Sequence, residues 1–91
     1  MQDKKLRQLG HRIRMARKAK SITQERLAEL AGLSTTYIGR LERGEKTPSI
    51  DTLVTLSEAL EQSPLDLLID LDSSLGKEHI KNRIRNLLGL L

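Results

Sequence analysis

The stretch from Thr23 to Gly44 constrains the fold more than any other part of the chain, because it punctuates two short helical segments at both ends. Thr23 has the side chain of an N-cap, able to accept an amide from the first turn of the helix that follows. Arg26, not Glu, stands three residues on, so the capping box is incomplete. A helix is expected from Gln24 to Leu30 or Ala31, with Leu27, Ala28 and Ala31 facing inward. Gly32 follows where a chain leaves a helix through a left-handed residue, and the apolar Leu33 anchors the turn. Ser34 caps the next helix, about Thr35 to Arg43, whose Ile38 and Leu41 face inward, and Gly44 closes it. Ala28 is small enough to let the two helices cross closely and steeply.

The rest of the chain reads as helix around this unit. Leu6, Leu9, Ile13 and Ala16 recur at spacings of three and four, which predicts a first helix over about Lys4 to Lys20. Pro48 ends a polar loop and Ser49 caps a fourth helix, about Ile50 to Leu60, with Ile50, Leu53, Leu56 (or Val54) and Leu60 on its apolar side. Ser63-Pro64 starts a fifth, Pro64 to about Ile69, using Leu65, Leu68 and Ile69. A sixth segment, Leu75 to about Leu90, aligns Ile80, Ile84, Leu87, Leu88 and Leu91. The expected fold is all-α: a compact five-helix domain over residues 1–72, then an amphipathic C-terminal helix over 73–91. A single aromatic, Tyr37, among many Leu, Ile and Ala suits packed helices better than a sheet.

Composition narrows the function. The chain has no cysteine, and His11 and His79 are far apart in sequence, so neither a disulfide nor a metal site is expected. No cofactor is implied. No nucleophile–base pair or glycine-rich phosphate loop stands out, which argues against an enzyme. No run of about 18 apolar residues is present, and the charged start does not read as a signal region, so a cytoplasmic location is expected. Residues 1–46 hold twelve Lys or Arg against five acids, residues 47–76 six acids and no base, and residues 77–91 four bases and one acid. This segregation suggests one side that faces a polyanion and another that faces solvent or a partner.

Two short helices joined by a glycine-containing turn form a helix-turn-helix. The run Thr23-Gln24-Glu25-Arg26-Leu27-Ala28-Glu29-Leu30-Ala31-Gly32-Leu33-Ser34, then Tyr37-Ile38-Gly39-Arg40-Leu41-Glu42-Arg43-Gly44, resembles the phage-repressor (Cro/cI-type, XRE) helix-turn-helix regulators. Pro48-Ser49-Ile50-Asp51-Thr52-Leu53 is similar to that family's fourth helix, and the likeness spans roughly residues 6–70. It implies a sequence-specific transcriptional regulator, most simply a repressor. The helix over 35–43 would enter the major groove of double-stranded DNA, with a homodimer on a near-palindromic operator. Ser21 departs from the pattern, standing where a glycine commonly ends the first helix, so that corner is either strained or uses a longer turn.

Carried over by residue, the resemblance places Thr35, Thr36, Tyr37 and Arg40 in the first turns of the recognition helix, nearest the base edges. Arg is the commonest reader of guanine. Thr35 and Thr36 as plain solvated residues is nearly as good a reading, and Tyr37 is read rather as packing on the second helix with its hydroxyl on a phosphate. Gln24, Ser34, Arg43, Lys46 and Thr47 are phosphate candidates, as is Arg14, for which a solvated role is equally good. Arg17 and Glu42 match positions that form an ion pair between the first and third helices, so they are assigned to structure. Two other readings of the same fold remain: a protein-interaction module, for which the acidic 47–76 block is the natural surface, and an antitoxin that binds DNA and a protein partner. The C-terminal stripe packs either on its own domain or, the favoured reading, against a second copy.

Overall fold

In the computed structural model, which describes residues 4–68, the helix ends fall where capping chemistry stops them. α1 (Lys4–Ala19) breaks at a corner where Ser21 takes a left-handed conformation, φ 58°. Its amide donates to the Lys18 carbonyl at 2.9 Å. A non-glycine residue there costs about 1–2 kcal/mol. The departure at Ser21 is therefore a tight left-handed corner and not a longer turn.

α2 (Gln24–Ala31) begins with Thr23 Oγ1 accepting the Arg26 amide at 3.0 Å. It ends at Gly32, φ 67°, after which the Leu33 amide donates to the Ala28 carbonyl at 2.9 Å. α3 (Thr35–Glu42) begins with Ser34 Oγ accepting the Tyr37 amide at 3.0 Å. Arg43 is its C-cap, and Gly44 turns the chain at φ 75°. α4 (Ile50–Ala59) is capped by Ser49, whose Oγ accepts the Thr52 amide at 3.1 Å. A second left-handed corner, Glu61 at φ 55°, leads to α5 (Pro64–Leu68). Lys20 Nζ, beside the first corner, meets Glu61 Oε2 of the second at 2.7 Å.

Ile13, Leu27, Ala28, Ala31, Ile38, Leu41, Leu53, Leu56, Leu60 and Leu67 form the core. Within it α1 lies chiefly on α3, α2 on α3 and α4, and α5 on α1 and α4. In three helices the inward face differs from the expected one. Of the α1 stripe only Ile13 is fully buried, with Leu6, Leu9 and Ala16 half-buried. Ile50 is 79% exposed, because it opens α4 and the core beneath that helix begins one turn later, at Leu53. In α5 the buried residue is Leu67, not Leu68, which is 54% exposed. A five-residue helix turns a narrow side inward, and Leu67 fills the space between α1 and α4 while its carbonyl accepts Arg12 Nη1 at 3.3 Å.

Gly10 decides how closely α1 and α3 approach. A Cβ there would stand 2.3 Å from the Leu41 carbonyl oxygen and 2.6 Å from that of Glu42. Backbone therefore packs on backbone at this crossing. The boundary expected at 72/73 and the C-terminal helix expected over 75–91 lie outside the described residues. No helix among the described residues is long and apolar enough to cross a membrane.

Candidate nucleic-acid interface

The recognition helix is fixed from one side and open on the other. Ile38, Gly39, Leu41 and Glu42 of α3 are buried. At about 100° per residue, Thr36, Arg40 and Arg43 fall within about 60° of one another on the face opposite the core. All three are exposed, as are Thr35 and Ser34 at the start of the helix. Tyr37 is half-buried and packs on the core, so its ring helps to seat α3.

The inner side is held by an ionic junction. Arg17 of α1 donates from Nε to Glu42 Oε2 at 2.7 Å and from Nη2 to Oε1 at 3.2 Å. Its Nη1 reaches the Ile22 carbonyl at 2.9 Å, and Gln24 Nε2 donates to Glu42 Oε1 at 3.0 Å. Every charge in this buried cluster is answered, and no buried side-chain polar atom among the described residues lacks a partner. Gln24 thus braces the start of α2 against the end of α3. Its amide nitrogen carries a second N–H beyond the one given to Glu42.

Basic groups surround the far end of α3. Arg40 and Arg43 are joined by Lys46 and Thr47, both exposed on the loop between α3 and α4. Arg14 is exposed too, but on α1, so it belongs to a different element from the α3 set. Glu45, which the residue types alone did not single out, sits among these cations. Its Oε2 accepts Arg43 Nε at 2.8 Å, Oε1 accepts Arg43 Nη2 at 3.4 Å, and Arg40 Nε lies 3.8 Å from Oε1. The hydrogen bond from Arg43 holds the Glu45 carboxyl below the usual glutamate range, and in turn raises Arg43. The available signal was the acid two residues after Arg43, at a helix end where acids are disfavoured.

No group of His, Cys, Asp and Glu that could hold a metal ion occurs among the described residues. The surface can do something else: present a helix face with two guanidinium groups and hydroxyl side chains, flanked by further cations, to a polyanion with readable edges.

The helix-turn-helix family profile matches residues 13–68. Control protein C.SmaI of Serratia marcescens is 42% identical over 60 residues, covering 66% of this chain and 71% of that protein. The crystal structure of the restriction-modification controller protein C.AhdI from Aeromonas hydrophila superposes with a TM-score of 0.67 at 40% identity, over 68% of this chain and 94% of that one. The c2 repressor of Salmonella phage P22, solved in complex with a synthetic operator, gives a TM-score of 0.63 at 42% identity, over 66% and 91% of the two chains. These relatives are regulators rather than enzymes. The profile match spans more than half of the sequence, and the chain belongs to the XRE-type helix-turn-helix family of transcriptional regulators.

Proposed function

We propose that the protein binds double-stranded DNA in a sequence-specific manner and regulates transcription, most simply as a repressor, by laying α3 in the major groove. The observation that supports this best is the division of α3 into a buried side locked to α1 and α2 and an exposed side bearing Thr36, Arg40 and Arg43. A major groove about 12 Å wide admits one helix. Thr35, Thr36 and Arg40 meet base edges, Arg40 with the bidentate geometry that guanine accepts. Ser34, Gln24, Arg43, Lys46 and Thr47 grip phosphates and set register, with the Tyr37 hydroxyl beside them and Arg14 as an outlying cation.

The working form is a homodimer. Ile50, Val54 and Leu68 are exposed apolar residues on α4 and α5, and the sequence beyond the described residues repeats apolar side chains at Ile80, Ile84, Leu87, Leu88 and Leu91. Two copies set their recognition helices about 34 Å apart, one DNA turn, and so require a near-palindromic site. The proposed location is the cytoplasm, where such a site is reached.

Selection of duplexes from a random pool at moderate salt tests the reading. Enrichment of a short inverted repeat is the expected result. A folded protein that enriches no sequence would overturn it in favour of a protein-interaction module, and co-purification of a small toxin would recast it as an antitoxin.

A further inference from the structure

Stability gives Glu45 no reason to be where it is. A carboxylate beside a helix C-terminus meets the negative end of the helix dipole, and exposed ion pairs contribute little. Glu45 is nonetheless held firmly. Its amide donates to the Arg40 carbonyl at 2.9 Å. The preceding Gly44, at φ 75°, is packed so tightly that a Cβ there would stand 2.7 Å from Arg7 Cγ. The side chain then folds back towards the exposed face of α3 and engages Arg43 through two nitrogens.

The effect is to arrange both arginines. The Arg43 guanidinium lies over Gly39, with Nη1 3.1 Å from where a Cβ on that glycine would stand. A glycine inside a helix is unfavourable relative to alanine; here it leaves room for the guanidinium and for Gln24 Oε1, 3.8 Å from the same point. Arg40 meets the carboxylate on its Nε side at 3.8 Å. Its two terminal amino groups are left for a partner, and they form the fork that matches guanine O6 and N7. A phosphate approaching the same place meets the charge of Glu45.

We propose that Glu45 is a specificity-determining positioning residue, which holds Arg43 in place, aligns the Arg40 guanidinium for base edges and opposes the capture of Arg40 by phosphate at arbitrary sequence. The proposal rests on the DNA-binding reading above.

The test is Glu45→Gln in the full chain, titrated with the selected duplex and with a scrambled duplex of equal length over a series of salt concentrations. The variant is expected to bind the scrambled duplex several-fold more tightly, with a steeper salt dependence, and the selected duplex no better than before. The preference between the two therefore shrinks. In an Arg40→Ala background the same change should no longer alter discrimination at the base pair that Arg40 reads. An unchanged or widened preference overturns the proposal. So does an equal loss of discrimination with Arg40 absent, which would mark Glu45 as a bulk charge only. A wild-type chain that fails to distinguish the two duplexes removes the DNA-binding reading, and this proposal with it; failure of the Glu45 variant alone leaves that reading standing.

Discussion

Two arginine–carboxylate pairs meet near the end of α3 with nearly the same geometry and opposite surroundings. Arg17 and Glu42 approach at 2.7 and 3.2 Å, with side chains only 11% and 2% exposed. Arg43 and Glu45 approach at 2.8 and 3.4 Å, with side chains 57% and 36% exposed. In the buried pair, water cannot replace a lost partner, so each group depends on the other and on the bonds from Gln24 and to Ile22. In the exposed pair, water replaces either partner at little cost. Burial turns one pair into a joint between helices, and exposure leaves the other exchangeable.

The comparison is broken most severely at the joint. Glu42→Ala should destabilise the fold by about 3–5 kcal/mol, since Arg17 is left buried without its counter-charge. An unchanged melting curve would show that the pair contributes nothing. Gly10→Ala attacks the same joint without touching a charge, by pushing α1 off the α3 backbone, and should cost about 1–3 kcal/mol in denaturant titration. If it proves neutral, the close approach of the two helices is not needed.

Smaller effects sharpen the contrast. Ser21→Gly relieves a left-handed corner next to Arg17 and should stabilise the protein by about 0.5–1 kcal/mol; a loss of stability would mean that the serine side chain matters there. Glu45→Gln at the exposed pair should leave stability within about 0.5 kcal/mol of wild type, and a drop as large as that of Glu42→Ala would erase the distinction drawn between the pairs. Smallest of all is the pH effect. The Glu45 carboxyl is lowered by its hydrogen bond from Arg43, and Glu61 by that from Lys20. Their stabilising contribution is therefore complete above the ordinary glutamate range and fades as pH falls through the lowered values. Carboxyl chemical shifts followed through acid titration should show both midpoints below that range, and ordinary midpoints would refute the pairing.

Much of this was legible in the chain because caps and corners are local. Thr23, Gly32, Ser34 and Ser49 act within a few residues of themselves, so residue type and spacing sufficed to place α2, α3 and the start of α4. The open face of α3 was legible for the same reason, since helical period separates Thr36 and Arg40 from Ile38 and Leu41; the candidate contacts on it are what the family resemblance implies. Leu67 was not, because a helix of five residues is too short for periodicity to choose a face. Nor was the exposure of Ile50, which depends on where the neighbouring helices end. Glu45 was missed because its significance lies in folding back on Arg40 and Arg43, a geometry set by the turn at Gly44 and its packing on Arg7.

What the chain alone determined is the helices α1 to α5, their breaks, its charge segregation and the motif that places it among the XRE-type regulators; these follow from interactions that span one or two turns. Tertiary structure decided the rest. It made Gly10 the point where α1 meets α3, and it buried one arginine–carboxylate pair while leaving another in water. Each of these depends on distance between elements remote in sequence, and on whether water can reach the groups between them. Spacing along a chain encodes neither.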